Sequence, residues 1–119
     1  MITHIGGVDV FAYDGPVLRS ERDALDVLGQ GSYEGAQLVA VPVAALDPSF
    51  FTLSSGLAGA IVQKFAQYGM PLAIIGDLSP FTAGSEPLRD WVRESNQGRQ
   101  LWFAASIEEI PLHRIPTSR

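Results

Sequence analysis

The chain has 119 residues, no cysteine and a formal net charge of −5 at pH 7. That length suits one domain with a core it can bury without covalent staples. The missing cysteines exclude disulfides, thiolate metal sites and a cysteine nucleophile, and the acidic balance speaks against nucleic acid and against an anionic membrane surface. The opening Met1-Ile2-Thr3-His4 lacks the basic and apolar regions of a secretory signal. No apolar run approaches the roughly 18 residues of a membrane span. The expectation is a cytoplasmic protein with no cofactor and no metal.

Ile2–Ile5 and Val8–Tyr13 read as two strands around Gly6-Gly7, a pair suited to a tight hairpin. Asp14-Gly15-Pro16 ends the second strand with turn chemistry. Ser20-Glu21-Arg22-Asp23 offers a capping serine and first-turn acids, so a helix is expected there. Ala24, Leu25, Val27 and Leu28 form its buried side, and Gly29 and Gly31 are expected to stop it. Ser32–Ala36 reads as a loop or a stray turn. Leu38–Val41 is apolar on both faces, as a covered parallel strand is, and Pro42 closes it. Asp47-Pro48 sets a cap before a proline at a first helical position, which predicts a short turn through Phe51.

The next stretch is the densest in signals. Leu57, Ala58, Ile61, Val62, Phe65 and Tyr68 recur at helical spacing, with Gly69 as cap and Pro71 forbidding continuation. At about 100° per residue this stripe spans roughly 140°. Ser54 projects into the stripe if the helix already includes it, and Ser55 falls at its edge. Gly56, Gly59, Ala60 and Gln63 make a face of mostly tiny side chains, which another backbone could approach closely. Ser54 or Ser55 is expected to cap the helix with its hydroxyl. The same helix start, with free N–H groups and a positive dipole end, also suits a phosphate. A regulatory site at Thr52, Ser54 and Ser55 is therefore kept beside plain capping.

Leu72–Ile75 is a second doubly covered strand, ending in Gly76-Asp77, and Leu78–Gly84 reads as a loop. Ser85-Glu86-Pro87 begins another helix, with Leu88, Trp91, Val92 and Ser95 at helical spacing and Gly98 as its stop. Leu101–Ala105 is the last strand. Ser106-Ile107-Glu108-Glu109 fits a capping box and a short final helix, and from Pro111 the tail is expected to fray. The order β-β-α-β-α-β-α-β-α implies a single α/β domain. Its sheet is mixed but mostly parallel, with right-handed crossovers and an N-terminal hairpin.

Other chemistry-bearing residues each carry two readings. Asp77 sits at the carboxyl end of a parallel strand, where α/β proteins place functional groups, or it binds its own turn. Glu94-Ser95-Asn96 with Arg99 forms a polar cluster, or a helix C-cap with a solvated face. Phe50-Phe51 beside Pro48 is an exposed docking knob, or anchors the helix start in the core. His4 and His113 lie at opposite ends of the chain without a ligand pattern. No spacing nominates a Ser-His-acid triad, so no catalytic residue is assigned.

The element order, with Leu53-Ser54-Ser55-Gly56-Leu57-Ala58 opening the helix after the third strand, resembles the STAS domain of sulfate transporters and anti-sigma factor antagonists. In the antagonists this helix begins Asp-Ser-Ser-Gly-Leu-Gly. The serine before the glycine is phosphorylated by a kinase that is also the binding partner. The resemblance implies Ser55 as phosphoacceptor, with Leu53 standing where the antagonists carry aspartate. Over nearly its whole length the chain resembles more closely an uncharacterised bacterial family, a domain of unknown function. The shared segments are Phe50-Phe51, Ser55–Gly59, Gln63-Lys64-Phe65, Leu72–Asp77 and Glu94-Ser95-Asn96.

Two roles follow as expectations. The first is a regulatory interaction module of STAS-like type. It would dock a partner protein or a second copy through Phe50, Phe51, Gly56, Gly59 and Gln63, with Ser55 as switch. The alternative is a small-molecule binder or small enzyme built on Asp77, Glu94, Asn96 and the loop after Asp77.

Overall fold

The computed structural model describes residues 2–115. Five strands, β1 (Ile2–Ile5), β2 (Val8–Ala12), β3 (Leu38–Pro42), β4 (Leu72–Ile75) and β5 (Leu101–Ala104), lie side by side in sequence order. β1 and β2 are antiparallel and the other neighbours parallel, which is the α/β architecture expected. Gly6 and Gly7 take φ of 56° and 83°, the left-handed pair that a two-residue hairpin turn demands, and Ile5 pairs with Val8 across it.

Each parallel step moves one place in the same direction. Crossovers of one hand therefore put their helices on one face of the sheet. α1 (Glu21–Tyr33), α2 (Leu57–Gln67) and α4 (Glu86–Asn96) supply that layer. Their Ala24, Val27, Leu28, Ala58, Ile61, Phe65 and Leu88 pack with Phe11, Val39, Val41, Leu72, Ile74, Leu101 and Phe103 of the sheet. The opposite face, built on Val8, Val10, Leu38, Ala40, Ala73 and Trp102, is covered by Ile110 and Ile115 of the C-terminal segment. This explains why β3 and β4 are apolar on both sides.

Several boundaries differ from the expectation. α1 does not stop at Gly29 or Gly31, and Ser32 and Tyr33 belong to it. A Cβ on Gly31 would stand 3.0 Å from Val39 Cγ2, so this glycine lets the helix lie close on the sheet. The chain leaves α1 at Gly35, at φ +87°. α2 begins only at Leu57, after a 3-10 turn Leu53–Ser55, so Ser54 is exposed rather than part of the apolar stripe. Tyr68 also leaves the stripe: it follows the last helical residue and is 67% exposed.

The loop after Asp77 contains one helical turn, α3 (Ser79–Thr82). Ile107–Glu109 is a 3-10 turn, and Ser106 makes no side-chain capping bond, so the capping box is not formed. Pro111–Ile115 does not fray. Ile115 is 3% exposed, and Arg114 Nη1 donates to the carbonyls of Asn96 and Gly98 at 3.2 and 3.0 Å. The rest of the tail expected to fray, 116–119, lies outside the described residues.

Candidate functional site

The segment joining β3 to α2 folds back on itself through short-range bonds. Asp47 caps the turn Pro48–Phe51: its Oδ1 accepts from the Ser49 N–H at 2.9 Å and the Ser49 hydroxyl at 2.8 Å. Those two bonds, the N–H first, hold the Asp47 carboxyl below its ordinary range. The Ser49 carbonyl then accepts twice, from Thr52 N–H at 3.1 Å and from the Ser55 hydroxyl at 2.7 Å. Ser55 Oγ in turn accepts from Leu57 N–H at 3.2 Å. Ser55 thus serves an orphan N–H of α2, but from one residue before the cap: the N-cap position is Gly56, which has no side chain to cap with, rather than Ser54 or Ser55 as expected. Ser55 also ties the helix start to the preceding turn. Gly56, at φ +82°, makes the bend between them.

Phe50 and Phe51 point inward, at 0% and 5% exposure. The docking-knob reading is therefore corrected in favour of anchoring. The two rings meet edge to face at 5.1 Å, Phe50 reaches Trp91 of α4, and Phe51 stacks on Phe81 at 4.2 Å. Burying rings of this size contributes about 2–3 kcal/mol each, enough to fix the position of the exposed turn above them.

What stays outside is a strip. Thr52, Leu53, Ser54, Ser55 and Gly56 are all exposed, as are Gly59 and Gln63 one and two turns along α2. Leu53 is 37% exposed, a large apolar side chain left in water. A Cβ on Gly59 would meet nothing within 4 Å. Beside the strip lies a cleft of about 640 Å³, with Thr52, Leu53 and Ser54 on one wall and Pro80, Phe81 and Ser85 on the other. Arg89 Nη1 braces the far wall by donating to Thr82 O at 2.6 Å. The lining residues carry no ionisable group. The cleft therefore suits an uncharged apolar or hydroxyl-bearing group, and it offers no general base.

The structure brings Thr52, Ser54, Ser55, Gly56, Gly59 and Gln63 onto this one exposed edge, next to the loop that follows β4. It does not join Asp77, Glu94 and Asn96 by any hydrogen bond or ion pair among the described residues. Asp77 Oδ1 accepts from Ser79 N–H at 2.9 Å, the turn-capping arrangement, and that bond depresses its pKa. Asn96 works on the sheet instead. Its Nδ2 donates to Phe103 O at 3.1 Å and its Oδ1 accepts from Phe103 N–H at 2.7 Å. Sequence reasoning missed that role, because no local pattern marks an asparagine that will face a strand seven residues on. His4 Nδ1 sits 2.8 Å from Asp9 Oδ1 on the exposed hairpin. No group of three His, Cys, Asp or Glu among the described residues could hold a metal. No helix among them is long and apolar enough to cross a membrane.

A family model described as a domain of unknown function, DUF4180, matches residues 7–112. No curated protein and no solved structure matches the chain.

Proposed function

Because the chain belongs to the DUF4180 family, whose description carries no activity, we propose from the geometry that this protein is a regulatory interaction module of STAS-like type. Its docking surface is the exposed edge from Thr52 to Gln63. The observation that carries the reading is the strip itself. Leu53 stands 37% exposed beside an uncharged cleft, and among the described residues nothing outside the helix's own backbone comes within 4 Å of a Cβ placed on Gly59. An unpaired apolar side chain at the mouth of a neutral cleft is what a partner's apolar group would bury. Ser55 is the switch. A phosphoryl group there would remove the O–H that the Ser49 carbonyl accepts and would set nearly two negative charges against that oxygen. The 49–55 turn would open and the strip would change shape. The alternative binder at Asp77 has less support: that carboxylate is exposed, but its Oδ1 already caps Ser79 and neither Glu94 nor Asn96 bonds to it.

A photo-crosslinking residue placed at 59 or 63 in native cells tests the docking edge, with position 33, on exposed Tyr33, as control. A partner adduct at 59 and 63, absent at 33 and suppressed at 63 by Gly59→Arg, is the expected result. Identical adduct patterns at all three positions would remove the docking surface. Phosphopeptide mass spectrometry should find modified Ser55. Its absence under every growth condition would remove the switch and leave the docking edge standing.

A further inference from the structure

The two edges of the sheet are treated differently. In β5, Gln100 O and Ala104 O accept from Leu72 N–H and Gly76 N–H, so the main chain of even-numbered residues faces β4. Odd-numbered residues face outward, and both outward groups of Phe103 are taken by Asn96. The middle of that edge is closed.

β1 is the opposite case. Asp9 O accepts from Gln37 N–H and Tyr13 N–H donates to Ala40 O, so odd-numbered residues of β2 face β3. Val8 and Val10 therefore pair with Ile5 and Thr3, and the N–H and C=O of Ile2 and His4 point away from the sheet. Among the described residues no side chain donates to or accepts from them. The strand is short, at four residues, but has no lysine, proline or bulge to blunt its edge.

We propose that β1 is a dimerisation edge, taken by β1 of a second copy in antiparallel register about Thr3. Parity restricts the pairing to registers that set outward residue against outward residue, and the number of bonds chooses among them. Among the described strand residues the outward groups are those of Ile2 and His4, and setting Ile2 against the second copy's His4 and His4 against its Ile2 uses all of them, giving four main-chain bonds. Thr3 then faces its own counterpart, a favourable cross-strand pair. The edge is self-complementary about a two-fold axis, which makes a copy the occupant, and charge does not oppose it locally. Each chain carries −5, yet β1 contributes no acidic side chain to the seam. The contact is two-fold and uses the same edge of both copies, so assembly stops at two rather than growing into a fibre. Thr3 and Ile5 also border an apolar hollow of about 380 Å³ on the helix-free face, so the seam adjoins further apolar surface.

Sedimentation or light scattering over a concentration series tests the proposal on the full chain. The wild type should reach twice 12.8 kDa at high concentration. Thr3→Lys alone and Thr3→Glu alone should stay monomeric, because like charges would meet at the centre of the seam. An equimolar mixture should recover the doubled mass. His4→Pro, which removes an outward N–H and leaves the hairpin bonds intact, should abolish the dimer while circular dichroism stays unchanged. A wild type monomeric at every concentration would overturn the proposal. So would a dimer indifferent to the Thr3 charges, or single-charge monomers that do not recover on mixing. A dimer lost only with Gly59→Arg would also overturn it, while supporting the docking edge on α2.

Discussion

Asn96→Ala deletes the one side chain that satisfies both outward main-chain groups of Phe103. The two bonds, 3.1 and 2.7 Å, are partly buried. Each such bond contributes about 1 kcal/mol net, so the variant should lose about 2 kcal/mol. For a chain of this size that lowers Tm by about 10 °C. Asn96→Asp separates the two bonds. At pH 7 the carboxylate still accepts from Phe103 N–H, but its second oxygen faces the Phe103 carbonyl and repels it. Protonation restores a donor there. The folded-state pKa of this introduced group is therefore raised above its unfolded value. The stabilisation is fully present below the unfolded pKa, near 3.9, and is lost as pH rises through the folded one. Urea unfolding of the wild type and both variants, run from pH 7 down to about 4, measures this. The aspartate variant should close part of its gap to wild type at the acid end. An alanine variant within about 0.5 kcal/mol of wild type, or an aspartate variant with no pH dependence relative to it, would refute the reasoning.

The remaining expectations are simpler. Gly29→Ala meets no neighbour, so it should stabilise the chain by about 0.5–1 kcal/mol through helix propensity. Gly31→Leu, against Val39 and Phe11, should cost about 2 kcal/mol or more, and denaturant midpoints of the two variants must move in opposite directions. Phe50→Ala should cost about 3–5 kcal/mol by thermal unfolding, since the ring is fully buried. Asp47 and Asp77 both have depressed folded pKa values. Their contribution is present above the unfolded value near 3.9 and is lost as pH falls through the folded one. The double variant Asp47→Asn, Asp77→Asn should therefore lose less Tm than wild type between pH 5 and pH 2.5. Parallel Tm curves would count against those caps.

Most elements were legible because their causes are local. Gly6-Gly7, Ser20, Asp47-Pro48 and Ser85-Glu86-Pro87 act within a few residues, and the caps at 20, 47 and 85 are made where they were expected. The stripe Ala58, Ile61, Phe65 needs only a helical period to be read. Gly31 misled for the same reason. Taken alone a glycine ends helices, and only the approach of Val39 shows why it stays inside one. Leu78–Gly84 misled because a single helical turn has too few residues to show a period.

The sequence by itself determined the order of strands and helices, the hairpin and the buried stripe, since each depends on backbone preference and neighbouring side chains. Tertiary structure alone decided that Phe50 and Phe51 point inward, that Leu53 stays in water, that Asn96 closes the middle of the β5 edge, and that no described side chain takes the outward groups of β1. Those outcomes depend on which segments, distant along the chain, arrive at the same place. Packing settles that globally, and no local pattern encodes it.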